Sequence, residues 1–195
     1  MRLVVFLLAF FLASSAGAQN LGPEDLVKKV TAEVLEAIQS DQQLQGGDRK
    51  KALALAEQKI LPLVDFQEAT QLAVGRPWAG ATPEQKERLV TEFRGMLVRV
   101  YSSAIGVYTG QTMKVLPVHM APNATEATVR NHYISDGRPP VTVSYAMKQT
   151  PTGWKIYDIN VEGVSLVLTY RSEFEQITRA AGIDGLIKRL QEKNA

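Results

Sequence analysis

Val141-Thr142-Val143-Ser144-Tyr145-Ala146-Met147 alternates large apolar residues with small or polar ones, so an extended chain here has one apolar face. Thr150-Pro151-Thr152-Gly153 reads as a turn, and Trp154-Lys155-Ile156-Tyr157-Asp158-Ile159-Asn160-Val161 follows it. Together they predict an antiparallel hairpin. The second strand departs from simple alternation. Trp154 and Ile156 fall on one face and Tyr157, Ile159 and Val161 on the other, so both faces are expected to be out of water. Helices packed on each side would account for this, and so would a cavity lined by one face.

Two more strands are expected upstream, at about 112–118 and 125–134, linked by Ala121-Pro122-Asn123 and Asp136-Gly137-Arg138-Pro139. Before Gly110 the apolar period is helical. Leu89, Phe93, Leu97, Tyr101, Ile105 and Tyr108 recur three or four residues apart, and Thr82-Pro83-Glu84-Gln85 supplies a cap, a first-turn proline and a capping-box partner for that helix. Leu26, Val30, Val34 and Ile38 predict an amphipathic helix from Pro23 to about Ser40, with 42–47 as a loop after it. Asp48 and Asp65 are placed to cap two shorter helices, the second closed by Gly75. After Gly163 the helical period returns, with Ser165 as a cap, a break at Gly182 and Asp184 capping a last helix. Helices, strands and helices in that order predict a single α+β domain with an antiparallel sheet of about four strands.

The N-terminus sets the expected compartment. Met1-Arg2 precedes an apolar run from Leu3 to Ala13, too short to span a bilayer. Ala16-Gly17-Ala18 then matches a signal-peptidase site. Residues 1–18 are thus expected to be a secretory signal peptide and 19–195 one domain, exported to the periplasm. With no cysteine in the chain, thiol catalysis, disulfides and thiolate metal sites are excluded. Lysine and arginine total 22 against 20 acids, and no basic stripe marks a nucleic-acid partner. His119 and His132 lack the spacing of a zinc pair. No phosphate loop is present, and Gly163-Val164-Ser165-Leu166-Val167 lacks the last glycine of a nucleophile elbow. Asp158, between Tyr157 and Ile159, is the one candidate general base. No acid or histidine close by in sequence completes a pair with it.

Two blocks carry a family resemblance. The first is Pro62-Leu63-Val64-Asp65-Phe66 with Ala69, then Leu72-Ala73-Val74-Gly75-Arg76-Pro77-Trp78 and Ala81-Thr82-Pro83-Glu84-Gln85, leading into Phe93, Leu97 and Tyr101. The second is Gly153-Trp154-Lys155-Ile156-Tyr157-Asp158-Ile159, Val161-Glu162-Gly163-Val164-Ser165-Leu166, Tyr170-Arg171-Ser172 and Phe174, closing with Gly182 and Gly185-Leu186-Ile187. In these the chain resembles the periplasmic phospholipid shuttles of the Mla (maintenance of lipid asymmetry) pathway, the MlaC, toluene-tolerance or ABC-transporter auxiliary family. Leu89 departs from the phenylalanine expected there and keeps the stripe apolar.

The resemblance implies a curved sheet and helices similar to the nuclear-transport-factor type, enclosing an apolar pocket that buries phospholipid tails and leaves the head group in water. It implies no cofactor and no catalysis. The implied partners are an outer-membrane lipoprotein complex and an inner-membrane ABC transporter with a lipid-binding ring. On this reading Trp78, Phe93, Leu97, Tyr101, Tyr108, Tyr145, Trp154, Ile156 and Tyr157 are the candidate wall, and Arg76 the candidate mouth residue. An exported enzyme using Asp158, and a scaffold subunit of an ABC transporter that holds no lipid, are the alternatives.

Overall fold

A computed structural model describes residues 21–105, 112–135 and 137–195, which form one α+β domain. Residues 1–18 and Tyr108 lie outside the described residues. In chain order the elements are α1 (Pro23–Ser40), α2 (Gln42–Gln45), α3 (Arg49–Lys59), α4 (Phe66–Val74), α5 (Pro83–Ile105), β1 (Thr112–Val115), β2 (Glu126–Ile134), β3 (Val141–Thr150), β4 (Gly153–Val161), β5 (Val164–Ser165) and α6 (Arg171–Asn194). Among the described residues no helix is long and apolar enough to cross a membrane.

The helix starts follow from short polar side chains that satisfy the first free backbone donors. Asp48 accepts from Lys51 N at 3.0 Å and Asp65 from Glu68 N at 2.9 Å. At α5 the capping box closes both ways, Gln85 N donating to Thr82 Oγ1 and Thr82 N to Gln85 Oε1, at 3.2 and 3.0 Å. The expected loop after α1 contains α2, because Asp41 accepts from Gln43 N and Leu44 N and holds a turn of helix. Ser165 does not cap the helix expected after it: it accepts from Leu168 N beside a short 3-10 turn, Leu168–Tyr170, and α6 starts only at Arg171 with no side-chain cap. Gly182 interrupts α6 with φ 67°, a conformation glycine adopts without strain. Asp184 accepts from Gln85 Nε2, tying α6 to the start of α5.

The sheet is antiparallel in the order β1-β2-β3-β4-β5. It has one strand more than expected, because Val164 and Ser165 pair with Val161 and Asn160. The free stretch of the β4 edge is met by the chain before α4. Val64 bridges Ile156 in parallel, and Asp65 N donates to Ile156 O at 2.8 Å.

No residue of β4 is exposed, as expected, but a β-bulge changes which of its residues share a face. Tyr145 pairs with Ile159 and Ala146 with Asp158, but Met147 pairs with Ile156, so Tyr157 is an extra residue in the ladder. The bulge resets the alternation and brings Trp154, Ile156, Ile159 and Val161 onto one face.

Three apolar clusters hold the domain. The largest joins α4, α5 and α6 around Leu89, Phe93, Phe174, Leu186 and Leu190. In it Phe93 stands edge-on to Phe174 and Tyr170, with ring centres 5.2 and 5.5 Å apart. A second lies between α1 and the sheet, from Val27 to Val129, Met147, Trp154 and Ile156. The third packs α1, α2 and α3 through Ile38, Leu44, Ala52 and Leu55. Phe93→Ala should therefore cost about 3–5 kcal/mol and Thr82→Ala about 1 kcal/mol. Urea unfolding of each variant checks both, and a loss below about 1 kcal/mol for Phe93→Ala would contradict the assigned core.

Candidate functional site

The pairing register sorts the strand residues into two faces. Met113 and Val115 of β1 stand opposite Tyr133 and Asn131. Ala127, Val129, Asn131 and Tyr133 of β2 stand opposite Met147, Tyr145, Val143 and Val141 of β3. Beyond β3 come Ile159 and Val161, with Ile156 and Trp154 past the bulge. No charged side chain of β1 to β4 belongs to this face. The opposite face carries Lys114, Glu126, Arg130, Lys148, Lys155 and Asp158.

α1 covers only part of the uncharged face. Its N-terminal turn is fixed there by Glu24, whose carboxylate accepts from Val118 N at 2.7 Å, and Val27 enters the cluster with Val129, Met147, Trp154 and Ile156. Away from that contact the face stays half open. Tyr133, Val143, Tyr145, Ile159 and Val161 are half-buried, and Val141 is 42% exposed. Leu26, Val30 and Val34 of α1 are half-buried as well.

A polar island sits inside this apolar field. The Tyr133 and Tyr145 hydroxyls are 3.0 Å apart. Asn131, 0% exposed, lies beside Tyr145, yet its Nδ2 and Oδ1 find no hydrogen-bond partner. An unmet buried polar group costs about 1–3 kcal/mol. Burial pushes the Tyr145 phenol well above the ordinary range, Tyr133 pushes it further, and the Asn131 amide acts the other way. Neither Asn131 nor Tyr133 was singled out from the sequence. The signal was there, since both occupy the apolar phase of β2 with Ala127 and Val129.

The residues read from sequence as one wall are divided between two clusters. Trp154, Ile156 and Tyr145 belong to the sheet cluster under α1. Trp78, Phe93 and Leu97 belong to the helical cluster. Tyr101 sits against the Tyr170 hydroxyl, and burial together with that contact raises the Tyr170 phenol. Tyr157, set apart by the bulge, lies among Glu126, Glu68, Asp158 and Lys148 on the charged face, its phenol raised by burial and then by those carboxylates. Asp158 Oδ1 accepts from Val167 N at 3.2 Å, joining β4 to the segment before α6.

Two surface clefts have mixed linings. One of about 630 Å³ runs between the segment before α4 and the β3–β4 turn, with Phe66, Arg94 and Lys155 on its walls. The other, about 540 Å³, is lined by Arg76, Arg171, Arg179 and Glu175. Arg76 is thus exposed on the helical side. The Arg171 guanidinium lies 2.6 Å from where a Cβ would stand on Gly75, whose φ is 70°, so position 75 requires glycine on both counts.

A sequence model described as MlaC protein matches residues 28–192. The chain belongs to the MlaC family. It is 22% identical to an intermembrane phospholipid transport system binding protein MlaC of Haemophilus influenzae, over 97% of this chain and 90% of that one. It is 26% identical to a toluene tolerance protein of Pseudomonas putida, over 94% and 84% respectively. A phospholipid-binding protein of Ralstonia solanacearum, solved in complex with a phospholipid, superposes with a TM-score of 0.80 at 36% identity, covering 89% of this chain and 97% of that one. The Haemophilus protein is named for phospholipid transport and binding and the Ralstonia protein for phospholipid binding.

The raised Tyr145 phenol makes a pH prediction. Unfolded, the group titrates near pH ~10, and the folded chain holds its proton to higher pH. Its contribution to stability is therefore intact below about pH 10 and is lost as pH rises beyond it. Urea unfolding between about pH 8 and pH 11 should show Tyr145→Phe losing less stability over that range than the parent. Equal losses would contradict the placement of this phenol.

Proposed function

We propose that this MlaC-family chain is a periplasmic phospholipid carrier whose tails lie on the uncharged sheet face beside α1. The observation that carries the reading is that face: apolar across four strands and only partly covered. The relative solved with a phospholipid, at 36% identity over most of both chains, supports it. On this reading Trp154, Ile156 and Tyr145 belong to the wall, joined by Tyr133, Val143, Ile159 and Val161. Phe93, Leu89 and Trp78 act as the core that holds the helices in place.

Two acyl chains of about thirty methylenes gain on the order of 25 kcal/mol on leaving water, at about 0.8 per methylene. Crossing an aqueous compartment therefore requires a carrier. Extraction from a bilayer gains little, because the chains are already dry there, so direction comes from the partners. The proposed partners are an inner-membrane ABC transporter with a lipid-binding ring and an outer-membrane lipoprotein complex. Export by a signal peptide spanning Met1–Ala18 belongs to the same proposal. The role needs no proton transfer, and Asp158, engaged with Val167 N, is assigned to structure rather than to catalysis.

Organic extraction of the purified mature protein followed by mass spectrometry should yield phospholipid. Val143→Glu puts a charge on the uncharged face and should lower the recovered lipid about tenfold or more, since burying an unpaired carboxylate costs several kcal/mol. Thr128→Glu, exposed on the opposite face, should leave it unchanged. Circular dichroism establishes that both variants fold. Equal lipid content in folded Val143→Glu would place the tails elsewhere.

A further inference from the structure

Apart from Gln149, exposed beside Trp154 at the end of β3, the only polar side-chain groups that β1 to β4 place on the uncharged face are the Asn131 amide and the Tyr133 and Tyr145 hydroxyls. Their hydrogen bonding does not close. One phenol donates to the other at 3.0 Å, which leaves one O–H free. A small rotation would let that O–H meet Asn131 Oδ1, and one Asn131 N–H can turn to the Tyr145 oxygen beside it, which leaves the other N–H of Asn131 without an acceptor. The surplus is therefore of donors. It is uncharged, since Tyr145 is held in its neutral form and no cation shares the face. Along β2, Asn131 stands between Val129, buried, and Tyr133, half-buried, where the packed end of the face gives way to the half-open end.

A buried surplus of neutral donors fits a neutral acceptor oxygen. Within a ligand that is otherwise hydrocarbon, that acceptor is an ester carbonyl. A phosphate would be poorly held here, with its charge desolvated and no arginine or lysine to meet it. We propose that Asn131, Tyr133 and Tyr145 form a polar subsite within the apolar face that accepts an ester carbonyl of the bound acyl lipid. This rests on the carrier reading above and adds a selection for how the tails are attached. An acyl ester offers the acceptor. An alkyl ether of equal length does not.

The test loads the purified mature protein from vesicles containing equal amounts of dioleoyl (ester) and dioleyl (ether) phosphatidylethanolamine, and reads the bound lipids by mass spectrometry. The parent should take up the ester form in about fivefold excess, the worth of one hydrogen bond. Asn131→Leu should bring the ratio to about one. Should that variant fail to fold, the doubly substituted Tyr133→Phe, Tyr145→Phe chain, which keeps the ring volumes, should show the same loss of preference. Equal uptake by the parent would overturn the subsite, leaving a buried water as the partner of Asn131 and the carrier reading intact. A preference that survives in folded Asn131→Leu would also overturn it. Uptake of neither lipid by the parent would remove the carrier reading and the subsite together.

Discussion

The extra residue in β4 is the constraint on which the functional side of the molecule depends. A regular strand from Trp154 to Val161 would send Ile159 and Val161 to the face that carries Lys148 and Arg130. The bulge at Tyr157 keeps them with Trp154 and Ile156, in register with Tyr145 and Met147. The result is a face four strands wide without a charge. Asp65 N and the Val64 bridge hold the bulged strand at Ile156. Leu166 N, donating to Ile159 O, holds it on the other side of the irregularity. β5 pairs with its far end. The irregular strand is thus gripped along its outer edge by segments that also lead into α4 and α6.

That arrangement separates two tasks. The helical cluster around Phe93 and Phe174 is fully packed and gives the domain a rigid body. The sheet cluster is packed at the Val27 end and loosens toward Val141. A carrier needs both, because a ligand seat must be kept open by something that does not collapse with it. An apolar face left half-open in water gives up part of the stabilisation that full burial would supply, and the helical core supplies it instead.

Much of this was legible in the amino-acid order. Pro23 and Ser40 bound α1, Thr82 with Gln85 starts α5, and the alternation from Val141 to Met147 predicts the apolar face of β3, each from local chemistry alone. The bulge was not legible. Period-two reading assigns faces by counting, and one inserted residue reverses every later assignment. Ile159 and Val161 were set apart from Trp154 for that reason, though they share its face. The division of the wall candidates between two clusters was hidden too, because a stripe on α5 looks the same in sequence whether it meets α6 or a ligand. Asn131 was visible as a polar residue in an apolar phase, but its lack of a partner is a fact of three dimensions.

The two tryptophans of the chain report on the two clusters separately, Trp154 under α1 and Trp78 among the helices. Fluorescence quenching by a phospholipid with brominated acyl chains, measured in Trp78→Phe and in Trp154→Phe, locates the tails directly. The account predicts strong quenching where Trp154 remains and little where only Trp78 remains. Strong quenching of Trp78 with Trp154 unaffected would contradict the placement of the lipid on the sheet face.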